Sequence, residues 1–180
     1  MSVWTAFDPP ALHKITDKVY ISSELGAHDF KMLKDRNITH ILVAGNFLKA
    51  KFPGHFKYLE LPINDSASQD LTFYFEQAIN FIDQADKVLV HCFAGVSRSA
   101  TMVIAYLMFK NKWKYLEAYA HVKKKRTIIN PNKGFVSQLE ELEKFFELGE
   151  DLDWSKFTTR SEKNQIESNS NQPSQMCSSS

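Results

Sequence analysis

Residues 88–101 read V-L-V-H-C-F-A-G-V-S-R-S-A-T, and this stretch decides which fold the sequence predicts. The Val-rich run at 87–90 is too short for a helix and is typical of a buried strand. Residues 99–110 are apolar almost all round, which predicts a buried helix. Between them lies a short loop that begins at Cys92 and ends at Arg98. The stretch therefore predicts a strand, a tight loop and a helix in direct succession.

This loop, residues 92–98, has the properties of a phosphate-binding site, and we call it the phosphate loop. A short loop at the start of a helix can turn backbone N–H groups inward, and the helix dipole favours an anion there. Arg98 adds a planar, permanently charged guanidinium that can bond two phosphate oxygens. The same positive field favours the nucleophilic thiolate of Cys92, although a lone cysteine at a strand end is more often a small buried apolar residue. We expect five residues to line the pocket, mostly through their backbone: Phe93, Ala94, Gly95, Val96 and Ser97.

Strand and helix patterns alternate on both sides of the phosphate loop. Strands are predicted at 18–22, 39–43 and 56–61, and helices at 26–36, 72–85, 114–125 and 133–148. This alternation predicts an α/β fold, a single domain with a central mixed or mostly parallel sheet flanked by helices on both faces. We expect the domain to occupy residues 1–150.

The composition changes after residue 150. Residues 151–180 are rich in Ser, Asn, Gln and Lys, which predicts a flexible tail. Trp154 and Phe157, at the base of this tail, are predicted to pack on the last helix rather than to form a docking motif. Cys177 lies in the tail, and we expect no internal disulfide between it and Cys92.

Charge and cysteine content limit the partners and the compartment. The chain has 22 basic and 21 acidic residues, and this balance argues against nucleic acid or a membrane surface as the main partner. It has no apolar run of about 18 residues and no secretion signal at its start. With two cysteines among 180 residues, a reducing compartment is the simpler interpretation. We expect a monomer in the cytoplasm, the nucleus or both.

The segment H-C-F-A-G-V-S-R-S at 91–99 resembles the active-site motif of the protein tyrosine phosphatase superfamily, and in detail that of the dual-specificity phosphatases. Three further segments are similar to that family in the same order: A-Y-L-M at 105–108, N-P-N at 130–132 and G-F-V-S-Q-L at 134–139. The resemblance covers about residues 14–146. Neither a kinase-docking domain nor the tyrosine-recognition loop of the tyrosine-only enzymes is apparent, so the chain looks like a small, atypical dual-specificity phosphatase.

The resemblance implies catalytic roles for four residues. Cys92 is the nucleophile that forms a phosphocysteine, Arg98 binds the phosphate, and Ser99 stabilises the departing thiolate. The general acid is Asp65, in the polar segment L-P-I-N-D-S-A-S-Q-D-L that follows a strand and precedes a helix. Asp70, in the same segment, is predicted instead to cap a turn.

Other polar residues have supporting or structural interpretations. His91 is expected to orient the phosphate loop rather than to bind a metal, and no metal or cofactor is expected. Asn132 resembles a family residue that braces the loop. The basic run at 123–126 lies at a helix C-terminus, which favours a solvated helix end over a localisation signal or a contact for acidic substrates.

The implied activity is hydrolysis of phosphotyrosine, phosphoserine and phosphothreonine in proteins, with signalling kinases among the candidate substrates. The uncharged residues at 93–97 argue against inositol lipids. Alternatives are a phosphatase of RNA 5′ ends or phosphorylated glycans, and a non-catalytic phosphoprotein-binding module, which normally lacks the nucleophile. A rhodanese-like sulfur transferase is a further alternative. Such a protein would have no counterpart of Asp65 or of the N-P-N segment, so these features argue against it.

Overall fold

The computed structural model describes residues 10–147 and 153–157, and a five-stranded sheet lies at the centre of this part. The strands are β1 (His13–Lys14), β2 (Val19–Ser22), β3 (His40–Ala44), β4 (Lys57–Leu61) and β5 (Val88–His91). Their order across the sheet is β1-β2-β5-β3-β4. β2, β5, β3 and β4 are parallel, and only β1 pairs in the antiparallel sense. The predicted mixed, mostly parallel sheet is confirmed.

Six helices and a short 3-10 turn cover the sheet in the described part of the chain. The helices are α1 (Glu24–Ala27), α2 (Phe30–Asp35), α3 (Thr72–Gln84), α4 (Arg98–Asn111), α5 (Tyr115–Lys125) and α6 (Lys133–Phe146), and the 3-10 turn is Trp154–Lys156. α1 and α2 contribute to one hydrophobic core, while α3 to α6 contribute to the other. Helices therefore flank both faces, as the sequence predicts.

Side chains of the central strands alternate between these two cores, because successive residues of a strand point to opposite faces. The larger core receives Val19, Ile21, Leu42, Val88 and Val90, and the smaller core receives Tyr20, Ile41, Val43 and Leu89. A parallel sheet covered on both faces needs apolar residues at every position, which explains the uninterrupted apolar runs. α4 is buried along residues 99–108, so its sequence is apolar all round.

The single helix predicted at 26–36 is wrong, because the chain forms α1 and α2 instead. His28 ends α1, and Asp29 adopts an extended conformation. The Asp29 carboxylate accepts a hydrogen bond from the Met32 N–H at 2.8 Å, so it caps the start of a second helix. β1 was not predicted, since a two-residue strand has no periodicity to detect.

The aromatic residues after α6 pack back on the domain, as predicted. The Phe145 ring lies 5.3 Å from the Trp154 ring and 5.1 Å from the Phe157 ring, measured between centroids. Phe157 also contacts Phe75 of α3 at 6.0 Å. The proposed domain limits and the flexibility of 151–180 stay predictions, and Cys177 lies outside the described residues. No helix in the described part is both long and apolar enough to cross a bilayer.

The strand order places several chain segments at one edge of the sheet. β2 and β3 lie on either side of β5, and all three are parallel, so their C-terminal ends meet at the same edge. α1 follows β2, the phosphate loop follows β5, and the segment 45–48 follows β3. In open parallel sheets this edge is where ligands bind.

Candidate active site

The phosphate loop connects β5 to α4, as the sequence predicts: Cys92 follows the last residue of β5, and Arg98 is the first residue of α4. The loop turns at Gly95, whose φ of 68° lies in the left-handed region. A Cβ at this position would stand 2.5 Å from the Ser22 carbonyl oxygen. Only glycine therefore allows the loop to pack against the end of β2.

Two carbonyl groups of the loop are held by one buried side chain. Arg126, which is 2% exposed, donates from Nε to the Gly95 oxygen at 2.8 Å. Its second terminal nitrogen donates to the Ala94 oxygen at 3.2 Å. The guanidinium thus turns these two carbonyls away from the centre of the loop.

Three more loop carbonyls are held by backbone donors. Phe93 O accepts from Glu24 N at 3.0 Å, Val96 O from Asn130 N at 2.9 Å, and Ser97 O from Thr101 N at 2.9 Å. The C=O and N–H of a trans peptide plane point in opposite directions, and no cis peptide occurs in the described residues. Turning the carbonyls of 93–97 outward therefore directs the N–H groups of 94–98 inward. This arrangement is an anion cradle at the N-terminus of α4.

Two hydrogen-bonding groups meet at the sulfur of Cys92, which is buried in the cradle. The Ser99 Oγ lies 3.2 Å from Sγ, and the Gly95 N–H donates to Sγ at 3.2 Å. Hydrogen bonds to sulfur stabilise the charged thiolate more than the neutral thiol. Two polar groups are therefore positioned to contact the sulfur of Cys92.

Arg98 lies beside the cradle with unused bonding capacity. Its Nη1 donates to the Ile63 carbonyl at a long 3.4 Å. Its Nε is buried, has no acceptor among the described residues, and is 3.8 Å from Asp65 Oδ2. A buried N–H without an acceptor is unfavourable. A phosphate oxygen is an acceptor with the charge and geometry to satisfy it.

The two aspartates of the segment 62–71, which we call the acid loop, have different surroundings. Asp65 Oδ1 accepts from the Ser97 hydroxyl at 2.7 Å and from Asn132 Nδ2 at 2.9 Å. Asp70 Oδ1 instead accepts from the Thr72 N–H at 2.8 Å and from the Thr72 hydroxyl at 2.6 Å, at the start of α3. The structure places Asp65 beside the cradle, with its side chain 38% exposed. Asp70 caps a turn, as predicted.

Asn132 joins the phosphate loop, the acid loop and α6. Its Oδ1 accepts from the Phe135 N–H at 3.0 Å and so caps the start of α6. Its backbone N–H donates to the Ser97 hydroxyl at 3.2 Å, while its Nδ2 donates to Asp65. One residue therefore contacts both the predicted general acid and the predicted phosphate-binding loop.

A second residue of α6, Gln138, holds the far end of the acid loop. This buried side chain accepts from the Leu71 N–H at 2.8 Å and donates to the Gln69 carbonyl at 2.9 Å. Gly134 lies so close to the Ala67 backbone that a Cβ would clash with it. Sequence reasoning did not identify Gln138, because a glutamine in an amphipathic helix gives no signal of a distant partner.

His91 is buried at the end of β5, directly before Cys92. Burial lowers its pKa to about 4, against the opposing effect of a hydrogen bond to the Cys92 backbone. The imidazole is therefore neutral at pH 7. Its Nδ1 has no hydrogen-bond partner among the described residues.

The interpretation of residues 123–126 as a solvated helix end is wrong for Arg126, because its side chain is buried against the phosphate loop. It is also incomplete for Lys123, whose Nζ donates to the Ile129 carbonyl at 2.6 Å. Lys124 and Lys125 are exposed, as expected. A sequence signal for the buried arginine is Ile129, a buried apolar residue three positions later, where the chain returns toward the core.

Comparisons with known proteins agree with this geometry. The family model described as dual specificity phosphatase, catalytic domain, matches residues 19–145. Dual specificity protein phosphatase 1 of Arabidopsis thaliana is 39% identical over 140 residues, which cover 76% of this chain and 71% of the relative. MAP kinase phosphatase with leucine-rich repeats protein 1 of Dictyostelium discoideum is 45% identical over 133 residues, which are 72% of this chain but only 16% of that protein.

The solved structures include a human relative of similar shape. The crystal structure of human tyrosine phosphatase-like serine/threonine/tyrosine-interacting protein aligns with a TM-score of 0.72 at 37% sequence identity. The alignment covers 76% of this chain and 97% of the human chain.

Proposed function

Since this chain belongs to the dual specificity phosphatase family and carries its phosphatase catalytic domain, we propose that it hydrolyses phosphotyrosine, phosphoserine and phosphothreonine in proteins through a phosphocysteine intermediate. One observation carries the proposal. The buried Cys92 sulfur lies in a loop whose carbonyls of residues 93–97 all accept donors outside the phosphate loop, so the adjoining N–H groups face the sulfur.

In the first step, the phosphate dianion binds to the inward N–H groups of the loop and to Arg98. The Nε of Arg98, which lacks an acceptor in the described residues, supports this role. These donors are held in place before the substrate arrives, so they stabilise the transition state without reorganising. The Cys92 thiolate then attacks phosphorus in line with the leaving oxygen.

The leaving oxygen needs a proton as the P–O bond breaks, and Asp65 donates it. The position of Asp65 beside Arg98 supports this assignment, because the leaving group departs from the open side of the cradle. Ser97 and Asn132 orient the carboxyl group through their hydrogen bonds to Oδ1. The product of this step is a phosphocysteine and a free hydroxyl group on the substrate.

In the second step, water attacks the phosphocysteine and the S–P bond breaks. Asp65, now a carboxylate, accepts the proton of the water, and phosphate leaves. Ser99 donates to the departing thiolate, a role that its 3.2 Å distance to Sγ supports. The Cys92 thiolate and the protonated Asp65 are then restored for the next substrate.

The uncharged loop residues at 93–97 favour phosphoproteins over inositol lipids as substrates. We infer that the protein acts as a monomer in the cytoplasm or the nucleus, where a catalytic thiol stays reduced. Signalling kinases are candidate substrates on family grounds, since the relative from Dictyostelium discoideum is named a MAP kinase phosphatase.

The test is hydrolysis of para-nitrophenyl phosphate and of phenyl phosphate in EDTA, with rapid acid quench to detect the phosphoenzyme. We expect wild type to turn over and Cys92→Ser to be inactive and unlabelled. Asp65→Asn should lose about 10²–10⁴-fold on phenyl phosphate, whose leaving group needs a proton. Ser99→Ala should accumulate phosphoenzyme, because its second step is slowed.

Asp70→Asn is the matched control for Asp65→Asn, because it lies in the same loop but caps α3. It should retain activity close to that of wild type. A wild-type protein that binds phosphopeptides but hydrolyses none of these esters would be a binding module, and the proposal would then be wrong.

A further inference from the structure

Large apolar side chains are exposed around the phosphate loop. The described residues expose seven large hydrophobic side chains, and four of them lie in segments that contact the loop or belong to it. We call these four the apolar rim: Leu25, Phe47, Phe93 and Ile128. A single exposed apolar residue needs no explanation, but a group at the edge of a binding site is typical of a recognition surface.

The first side of the rim is α1, which follows β2. The Glu24 N–H donates to the Phe93 carbonyl at 3.0 Å, so Leu25 is one residue from a direct contact with the loop. Ile128 is similarly close to the loop. Asn130, two residues after Ile128, donates its N–H to the Val96 carbonyl of the loop.

The opposite side of the rim follows β3. Gly45 lies against Arg98, since a Cβ there would be 3.1 Å from the Arg98 Nη1. Asn46 donates from its backbone to Ile63 O at 3.1 Å, in the acid loop. Phe47 comes next and is 90% exposed. Phe47 thus follows directly after two residues that lie against Arg98 and the acid loop, and its ring is almost uncovered.

The spacing of the strands sets the distance between the two sides. β2 and β3 are both neighbours of β5, so they are two strand spacings apart, about 10 Å. An extended peptide covers about 3.3 Å per residue, so about three residues span this distance. A peptide whose phosphoresidue enters the cradle would thus place its near neighbours against the rim on both sides.

The charges around the cradle do not favour a second phosphate. Apart from Arg98, no Lys or Arg occurs in the five surrounding segments 23–28, 45–48, 62–71, 93–97 and 127–131. Lys49, just after one of them, pairs with Glu60 at 3.1 Å. Lys133 is exposed in the first turn of α6, beyond Asn132. A doubly phosphorylated segment would therefore find one strong site and little compensation for its second charge.

We propose that the apolar rim selects singly phosphorylated protein segments that carry a bulky apolar side chain within two residues on each side of the phosphoresidue. This inference rests on the phosphatase function proposed above and names the substrate class of that site. Phe47 and Leu25 are the specificity-determining residues, since they lie on opposite sides of the phosphate loop.

The experiment measures kcat/KM of the full-length chain on three phosphotyrosine peptides. The first has Leu at positions −2, −1, +1 and +2, the second has Ser at these positions, and the third is the Ser peptide with an additional phosphoserine at +2. We expect the Leu peptide to exceed the Ser peptide in kcat/KM by about tenfold, as partial burial of two apolar side chains implies. The doubly phosphorylated peptide should be no better than the Ser peptide.

Variants of the rim locate the effect. Phe47→Ser and Leu25→Ser should each reduce the ratio of Leu to Ser peptide by about threefold, mainly through KM, and the double variant should bring it near one. Leu116→Ser is the matched control. Leu116, at 73% exposed, lies between Leu25 and Phe47 in exposure, but it is in the first turn of α5, about 15 Å along the helix from Arg126. In Leu116→Ser, the ratio of kcat/KM on the Leu peptide to that on the Ser peptide should be the same as in wild type.

Any of the following results would overturn the inference. The Ser or the doubly phosphorylated peptide is the better substrate; the ratio persists in the double variant; or sedimentation shows a wild-type dimer that Phe47→Ser dissociates, which would mean that a second copy covers the rim. Para-nitrophenyl phosphate separates the two proposals. If it is hydrolysed while the peptides do not differ, only this inference fails, and if no ester is hydrolysed, the proposed function fails as well.

Discussion

Arg126 acts on the phosphate loop from outside it. Its Nε and one terminal nitrogen donate to the carbonyls of Gly95 and Ala94, and both peptide planes are thereby fixed with their other side toward the Cys92 sulfur. A guanidinium suits this task, because it offers several donors in one rigid plane and stays charged when buried. Lysine has a single ammonium group and cannot reach both oxygens in the same geometry.

We therefore expect Arg126→Lys to weaken the cradle rather than the chemistry of the nucleophile. Misplaced loop N–H groups should lower kcat/KM by about 10²-fold, the effect of a displacement near 1 Å. Competitive inhibition by inorganic phosphate should weaken in parallel. An unchanged melting temperature would show that the variant is folded, so that the weaker inhibition is not due to loss of the fold. Lys124→Leu is the control, since that side chain is exposed on the same helix end. A folded Arg126→Lys variant with unchanged phosphate affinity would contradict this role.

At the scale of elements, α6 and the acid loop form one unit. Asn132, the N-cap residue of α6, binds Asp65, and Gln138 in the second turn binds the end of the loop. The loop has no regular hydrogen-bond ladder of its own, so its position depends on these contacts. The proposed general acid, Asp65, is consequently held by a helix that lies far from it in sequence.

Replacing Gln138 by Leu should therefore impair proton donation more than phosphate binding. The variant keeps the side-chain size but leaves the Leu71 N–H without its acceptor, at a cost of about 1–3 kcal/mol in stability. Activity on phenyl phosphate should fall about tenfold more than activity on para-nitrophenyl phosphate, because only the former needs the acid.

The control for this variant is Gln77→Leu, whose side-chain amide donates only to the Phe73 carbonyl of its own helix. It should change neither activity. Equal losses on both substrates in Gln138→Leu would mean that the residue supports the fold in general, not the acid loop.

The sequence predicts features formed by neighbouring residues, and it does not predict contacts between residues that are far apart in the chain. The strand, loop and helix at 88–101 could be predicted because Cys92, Gly95 and Arg98 lie within seven consecutive residues. Arg126 and Gln138 act across 31 and 67 residues, and no local pattern indicates their partners. The helix break at Asp29 could not be predicted for another reason. The helical periodicity of the sequence continues through Asp29, but in the structure its side chain caps the start of a new helix.

At the scale of the whole molecule, the sheet separates two cores and buries His91 at the end of its central strand. Because burial lowers the pKa of His91 from 6.5 to about 4, the folded protein keeps this side chain neutral where the unfolded chain would protonate it. The contribution of the neutral His91 to the free energy of unfolding is thus fully present above pH 6.5. It is lost as the pH falls toward 4. His40 contributes in the same direction, since burial and Lys57 lower its pKa as well.

We expect the free energy of unfolding to be lower at pH 5 than at pH 7 by about 2 kcal/mol from His91 alone. Urea unfolding at both pH values measures the difference. His91→Gln should reduce the pH dependence, leaving the part due to His40. If the variant keeps the wild-type difference between the two pH values, His91 is not the group responsible.

The outward anchoring of the phosphate loop has a consequence for protein engineering. Glu24 and Asn130 hold the loop through their main-chain N–H groups, so any substitution there except proline preserves the donor. Their neighbours Leu25 and Ile128 belong to the rim and have no bond to the loop of their own. If the rim recognises peptides as proposed, a combinatorial library at these rim positions should change which peptides the domain accepts while the anchoring of the phosphate loop stays intact.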